Sequence, residues 1–212
     1  MRPAFDLSLY LVLDPDLCEP LGMVETTRLA VAGGATMVQL RDKKASTATM
    51  IETGRALKQV LSGSGVPLII NDDVEAAIAC GADGVHVGQG DMAAAAVRQR
   101  IGPDMILGLS VTSLAEAEAA TSAPVDYLGI GPVLATGTKP DHAPVMGFDG
   151  LATAIRAVPV PVVAIGGLKY SHIEAVFQCG AQGIAVVSAI CGTPDPEKAA
   201  RDLSQMIRSI QP

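Results

Sequence analysis

Residues 77–87 read AIACGADGVHV, and this stretch decides the fold because its pattern recurs along the chain. Related stretches are AVAGGATMVQL at 30–40 and AVFQCGAQGIAVV at 175–187. Each copy combines the end of a helix, a glycine able to cap that helix in the left-handed conformation, and a short apolar strand. The sequence therefore predicts a helix leading into a buried strand at three widely separated places.

The same alternation of strand and helix extends over the whole chain. We predict strands at 8–13, 36–41, 67–71, 84–87, 105–110, 126–130, 161–165 and 183–188. We predict helices at 23–32, 46–62, 73–80, 92–101, 113–121, 149–157, 171–179 and 196–209. Strands rich in valine and isoleucine on both faces are typical of a parallel sheet covered by helices.

Eight such units without a change in composition predict an α/β fold, a single-domain (β/α)8 TIM barrel over residues 1–212. An open doubly wound sheet is the alternative. It is disfavoured because the first strand is not followed by the glycine pattern G-x-G-x-x-G that binds dinucleotides in such sheets.

Composition narrows the classes of partner. The 212 residues carry a formal net charge of −7, which argues against a nucleic-acid or anionic-membrane surface but leaves anionic small molecules open. Neither a membrane span nor a signal peptide is expected. Cys18, Cys80, Cys179 and Cys191 lack the spacing of a zinc site or redox pair, so we expect a cytoplasmic protein with structural cysteines at 80 and 179. Composition leaves a homo-oligomer open.

Polar residues follow nearly every predicted strand, at the carboxyl end where barrels of this kind hold their chemistry. Gln39, Arg41 and Lys43 alternate along one extended segment, so their side chains can share a face. Arginine offers a planar fork for phosphate and lysine a point charge, although both could also be ordinary surface residues. We therefore predict that an anionic ligand binds at the end of the second strand.

Two carboxylates follow the third and fourth strands. Asp72 could cap the next helix, but Asp73 can do so equally well, which leaves Asp72 free to face the barrel mouth. With Asp91 it would offer the oxygen ligands that Mg²⁺ takes from one or two carboxylates plus phosphates. His86, flanked by valines, is predicted to be a packed core residue, and His142 a surface residue.

A second anion site is predicted on the opposite side of the mouth. Gly166 and Gly167 follow the seventh strand, and Val187 and Ser188 end the eighth. Phosphates often bind to the loops after these two strands, where glycines let the backbone come close to the ligand. Two phosphate sites, one of them with a metal, indicate two phosphorylated reactants or one long one.

Seven short motifs taken together resemble the thiamine phosphate synthase family from the first strand to the last helix. The motifs are QLRDK at 39–43, ND at 71–72, HVGQGD at 86–91, GLS at 108–110, GIGPVLATGTK at 129–139, IGGL at 165–168 and VS at 187–188. The resemblance implies a Mg²⁺-dependent reaction in which the nitrogen of a thiazole phosphate displaces pyrophosphate from a pyrimidine diphosphate.

The resemblance also implies a role for individual residues. Asp72 and Asp91 match the magnesium ligands. The pyrimidine diphosphate site matches Gln39, Arg41, Lys43, Asn71, Ser110 and Lys139, of which Arg41, Lys43, Ser110 and Lys139 are expected to be catalytic. The thiazole phosphate site matches Thr136, Thr138, Gly167, Val187 and Ser188. The long loop after the sixth strand could act as a lid.

A protein nucleophile is not expected, because the sequence shows neither a Ser/His/Asp arrangement nor an activated cysteine at the mouth. Two alternatives share the predicted fold. A thiazole tautomerase would use the thiazole phosphate site but has no use for paired magnesium carboxylates. A non-catalytic sensor of phosphorylated ligands has little reason to hold two phosphate sites and a metal.

Overall fold

The computed structural model describes residues 4–137 and 143–210. Eight parallel strands close into a barrel in which each strand is hydrogen-bonded to the next along the chain and the eighth to the first. The strands are β1 Leu9–Val12, β2 Met37–Leu40, β3 Leu68–Asn71, β4 Gly84–Val87, β5 Ile106–Val111, β6 Tyr127–Ile130, β7 Val162–Ile165 and β8 Gly183–Val186. The predicted (β/α)8 barrel is confirmed, and the open sheet is ruled out.

Helices fill the connections, as predicted, with differences of a few residues at their ends. They are α1 Pro15–Cys18, α2 Gly22–Gly33, α3 Thr47–Val60, α4 Val74–Cys80, α5 Ala94–Ile101, α6 Leu114–Ala120, α7 Gly147–Arg156, α8 Ile173–Gln178 and α9 Pro196–Ile210, with a 3-10 turn at Tyr170–His172. The single turn α1 was not predicted from the sequence. It begins after Asp14, whose side chain accepts a hydrogen bond from Leu17 N, and Pro15 fits its first position.

The repeated glycines end helices as expected. Gly34 has φ 109° and Gly81 φ 69°, so both adopt the left-handed conformation that favours glycine. In each case the residue after the glycine donates back to the last turn: Ala35 N to Ala30 O, and Ala82 N to Ala77 O, both at 3.0 Å. The chain thereby turns directly from the helix into β2 and β4.

A set of side chains ties neighbouring strands together at the amino end of the barrel. Each of them precedes an even-numbered strand and accepts a hydrogen bond from a backbone N–H at the start of the preceding odd-numbered strand. The bonds are Leu9 N to Thr36 Oγ1 (3.0 Å), Leu68 N to Asp83 Oδ2 (2.8 Å), Leu107 N to Asp126 Oδ2 (2.7 Å) and Val162 N to Gln182 Oε1 (2.6 Å). We call these four bonds the strand ties.

Side chains alternate between two cores along every strand, as the pleat requires. Outward-facing residues pack against the helices in one large cluster. Inward-facing residues form a smaller core on the barrel axis, made of Leu7, Tyr10, Val12, Met37, Ile69, Ile106, Tyr127, Val163 and Ala185. The inward positions nearest the carboxyl ends are therefore the ones that can line a site.

We predict that Asp126→Ala lowers the free energy of unfolding by about 3 kcal/mol. The change removes the acceptor of Leu107 N and the ion-pair partner of Arg98, and both side chains of that pair are largely buried. Urea unfolding followed by circular dichroism measures the loss. The matched control is Asp16→Ala, in an exposed pair with Lys44, where the change should stay within about 0.5 kcal/mol. Equal losses in the two variants would contradict this role.

Candidate active site

A cavity of about 640 Å³ opens at the carboxyl ends of the strands. It brings together all the predicted site residues that lie in the described part of the chain. These are Gln39, Arg41, Lys43, Asn71, Asp72, Asp91, Ser110, Thr136, Gly167, Val187 and Ser188. Thr138 and Lys139, and likewise His142, lie outside the described residues.

Asp72 is held in an unusual backbone conformation at the end of β3. Its φ of 61° makes it the only residue other than glycine with a positive φ in the described ranges. Aspartate tolerates this left-handed region better than most side chains do. Asp72 N donates to His86 O at 2.8 Å, while Asp73 caps α4 by accepting from Ala76 N. Asp73 therefore does the capping, and Asp72 faces the cavity as predicted.

The two predicted metal ligands lie side by side. Burial raises the pKa of Asp72, and contact with the carboxyl group of Asp91 raises it further, against the opposing effect of Lys43. Asp91 accepts a hydrogen bond from Gly88 N at 2.8 Å, and α5 begins after Ala93 without a side-chain cap, so Asp91 does not cap that helix. Two adjacent carboxylates that disfavour each other's charge form a site that a divalent cation would relieve.

The basic residues surround this carboxylate pair. Lys43 Nζ contacts Asp72 Oδ2, and Arg41 is half-buried in the cavity wall two residues away. Both follow β2, whose neighbour in the barrel is β3. The arrangement places positive charge beside the carboxylates, where the phosphates of a metal-bound ligand would lie.

The glycines after β7 meet the loop that follows β6. Val133 N donates to Ile165 O at 2.9 Å and Leu134 N to Gly166 O at 3.0 Å. Gly167 has φ 67°, and a Cβ atom there would lie 2.4 Å from Ala135 O. The glycines here were predicted to let a phosphate approach the backbone. In the structure, contact with the loop after β6 already requires glycine at 167.

His86 does more than the predicted packed core residue. It is buried, with 7% of its surface exposed, yet it also lines the cavity. Its Nε2 is 2.8 Å from Ser110 Oγ, and burial lowers the pKa of the imidazole to about 4, so the ring is neutral. The alternation in β4 could have revealed this, because Val85 and Val87 pack outward and residue 86 must then face the axis.

Other residues of the cavity wall were also missed by the sequence analysis. They include Tyr10, Gln89, Thr112, Glu116 and Lys169. Gln89 Nε2 donates to Ser110 O at 2.8 Å, and Glu116 accepts from the backbone and hydroxyl of Thr112. None of these residues carries a local pattern that separates a cavity wall from an ordinary strand or loop.

Comparison with known proteins decides the family. A family model described as thiamine monophosphate synthase matches residues 9–190. The chain belongs to this family. No helix in the described ranges is long and apolar enough to cross a membrane.

Individual members of the thiamine monophosphate synthase family match nearly end to end. A thiamine-phosphate synthase of Azorhizobium caulinodans is 52% identical over 209 residues, covering 99% of both chains. One of Xanthobacter autotrophicus is 49% identical over 207 residues, covering 98% of both. The structure of a thiamine phosphate pyrophosphorylase from Pyrococcus furiosus superposes with a TM-score of 0.88 at 37% identity, covering 97% of this chain and 98% of that one.

We predict that Asp72→Asn raises the melting temperature at neutral pH in metal-free buffer by about 2–4 °C. The raised pKa means that folding disfavours the charged carboxylate; this cost is present above the folded-state pKa and disappears as pH falls through it. Asparagine keeps the shape and tolerates the positive φ.

Thermal melts of wild type and variant at a series of pH values, with chelator present, check this prediction. The stabilisation should shrink as the solution becomes more acidic. Asp16→Asn, in the exposed pair with Lys44, is the matched control and should change the melting temperature little. A lower melting temperature for Asp72→Asn would mean that its contact with Lys43 outweighs the cost of its charge.

Proposed function

We propose that this member of the family is a Mg²⁺-dependent transferase in thiamine biosynthesis. It joins 4-amino-2-methyl-5-hydroxymethylpyrimidine diphosphate to 4-methyl-5-(2-hydroxyethyl)thiazole phosphate and releases pyrophosphate. The observation that carries the proposal is the adjacent pair Asp72 and Asp91, with Arg41 and Lys43 beside it in one cavity. That set suits a diphosphate bound with a divalent cation.

The donor set fits Mg²⁺. The described residues contain no group of three or more His, Cys, Asp or Glu side chains able to enclose a metal. Mg²⁺ needs no such cage, because it is usually held by one or two carboxylates, waters and substrate phosphates. Asp72 and Asp91 would hold it. When bound, the ion would neutralise charge on the diphosphate as it leaves.

The protein's own cations complete the stabilisation of the leaving group. As the bond between the pyrimidine methylene and the diphosphate oxygen breaks, negative charge grows on that oxygen. Arg41 and Lys43, which both line the cavity, are proposed to stabilise this charge. The ring nitrogen of the thiazole then forms the new carbon–nitrogen bond with its lone pair. Lys139 is proposed to assist from the loop after β6.

A covalent role for Ser110 is not needed, although it does contact a histidine. No Ser/His/Asp arrangement was predicted, and the contact of Ser110 with His86 does not make one. Nδ1 of His86 contacts the phenol of Tyr127, at 2.9 Å, where a catalytic triad would place a carboxylate. We therefore assign Ser110, with Gln39 and Asn71, to holding the pyrimidine.

The second half of the cavity is proposed to take the thiazole phosphate. Thr136, Gly167, Val187 and Ser188 line it, and Thr138 is expected to join them. Two residues of the loop after β6 already bond to the end of β7, since Val133 N donates to Ile165 O and Leu134 N to Gly166 O. The remainder of this loop is proposed to close over the two substrates, keeping water from the cationic methylene.

Two other functions are less well supported. A thiazole tautomerase would not need the carboxylate pair. A sensor would not need both a metal site and a second phosphate site. The absence of disulfides among the four cysteines suits a reducing compartment, so we propose a cytoplasmic enzyme.

Mixing the purified protein with both substrates and Mg²⁺ should release pyrophosphate, and excess chelator should abolish the release. Asp72→Ala should lower kcat by about 100-fold or more, because a ligand of the ion is lost. A coupled pyrophosphate assay measures both effects. Asp16→Ala is the control and should retain activity. Unchanged turnover in excess chelator would exclude the metal, and proton transfer on the thiazole phosphate alone would favour the tautomerase.

The two substrates should bind in separable halves of the cavity. Lys43→Ala should weaken binding of the pyrimidine diphosphate with Mg²⁺ by about 1.5–3 kcal/mol and leave the thiazole phosphate unaffected. Gly167→Ala should weaken the thiazole phosphate instead, because its Cβ would displace the loop at Ala135. Isothermal titration calorimetry of each substrate into each variant decides this. The opposite pattern would reverse the assignment of the two halves.

A further inference from the structure

An unbroken chain of side-chain hydrogen bonds crosses the barrel interior beneath the cavity. Gln39 Nε2 is 2.7 Å from Tyr10 OH, which is 2.9 Å from Tyr127 OH. Tyr127 OH is 2.9 Å from His86 Nδ1, and His86 Nε2 is 2.8 Å from Ser110 Oγ. We call these five residues the interior chain. It links β2 with β5 through residues of β1, β6 and β4.

The amide of Gln39 determines which group donates and which accepts in each bond of the interior chain. Gln39 donates through Nε2, so the single proton of Tyr10 is free to be donated to Tyr127. Tyr127, having accepted that bond, donates its own proton to Nδ1 of His86. A neutral imidazole that accepts at Nδ1 carries its proton on Nε2, and it therefore donates to Ser110.

Both ends of the interior chain, Gln39 and Ser110, line the cavity. The amide nitrogen of Gln39 donates to Tyr10. In the described residues every fully buried side-chain nitrogen or oxygen has a hydrogen-bond partner. Oε1 of Gln39 has no such bond among them, so it cannot be fully buried and must open onto the cavity that Gln39 lines. Ser110 accepts from His86, which leaves its own proton to be donated. The cavity thus presents an acceptor from β2 and a donor from β5.

The sequence makes room for these contacts with a glycine. Gly108 lies in register between His86 on β4 and Tyr127 on β6. A Cβ atom at 108 would lie 2.2 Å from Cζ of Tyr127 and 2.4 Å from Nδ1 of His86. The missing side chain is what allows the phenol and the imidazole to meet across β5.

We propose that Tyr10, Tyr127 and His86 are positioning residues that transmit one hydrogen-bond direction from Gln39 to Ser110. They make Ser110 a donor and Gln39 an acceptor toward the ligand. This proposal rests on the proposed function, because its kinetic test measures that reaction. The ligand it fits presents an acceptor atom to Ser110 and a donor group to Gln39, as a ring nitrogen and an amino group on a heteroaromatic ring do.

The tautomer of His86 tests the direction without any turnover. Long-range ¹H–¹⁵N spectra of the wild type should show the proton on Nε2 and a hydrogen-bonded Nδ1. The chain has three histidines, so His142→Gln and His172→Gln assign the signals. In Tyr127→Phe the Nδ1 resonance should move toward that of a free imine nitrogen. Tyr170→Phe, at the exposed third tyrosine, should leave it unchanged.

A double-mutant cycle tests whether Tyr127 acts through Ser110. Tyr127→Phe should lower kcat/KM by about tenfold, the factor expected for one hydrogen bond. In a Ser110→Ala background the same change should cost less than about twofold, because the group it positions is already gone. A purely structural role for Tyr127 would give the same loss in both backgrounds.

The outcomes separate this inference from the proposed function. A proton on Nδ1 in the wild type, an unmoved resonance in Tyr127→Phe, or additive losses in the cycle would each overturn the inference. If Tyr127→Phe does not fold, Tyr10→Phe breaks the same chain one bond further from His86 and takes its place in the cycle. An inactive protein with the proton on Nε2 would overturn the proposed function and leave the hydrogen-bond direction standing.

Discussion

The interior of an eight-stranded barrel is too narrow for every inward position to carry a large side chain, and this constraint shapes both core and site. Gly84, Gly108 and Gly129 leave space at inward positions of β4, β5 and β6, and a Cβ at the first two would collide with neighbouring side chains. Ile106 and Ile69 lie against Gly84, whereas the rings of Tyr127 and His86 occupy the space at Gly108, and His86 also lies against Gly129. Once buried, the polar atoms of these two rings have to bond to one another, because water cannot reach them.

A second constraint is electrostatic and acts at the mouth of the cavity, at the carboxyl ends of the strands. The carboxyl groups of Asp72 and Asp91 are in contact, and the repulsion between their negative charges is unfavourable. The ion pair of Asp72 with Lys43 offsets only part of this repulsion. Such a pair lowers stability in the absence of a ligand and is relieved by a cation. The strained backbone at Asp72 adds to the same cost. Under the proposed function, this local loss of stability is the cost of a site that can bind a charged ligand.

What could be predicted from the sequence depends on how far apart the interacting residues lie. Strand alternation, glycine caps and the polar residues at strand ends are local patterns, and they located the barrel and its mouth. The contact between Tyr10 and Tyr127 joins residues that are 117 positions apart, and the local sequence around either residue gives no sign of it. The need for glycine at 167 is likewise set by Ala135, which belongs to another loop. His86 is buried as predicted, but its place in the cavity wall depends on Ser110 and Tyr127, which belong to other strands.

The strand ties join the barrel two strands at a time: β1 with β2, β3 with β4, β5 with β6, and β7 with β8. Three of their acceptors, Thr36, Asp83 and Gln182, lie inside the repeated stretches of sequence. This is the architecture expected if one β–α–β–α unit was copied to build the whole. Under that view, the four matching bonds at the amino end of the barrel are what the copied units still share, whereas the residues at the carboxyl ends differ from unit to unit. In such a barrel, substitutions at the carboxyl ends can change the reaction while the bonds at the amino end keep the fold.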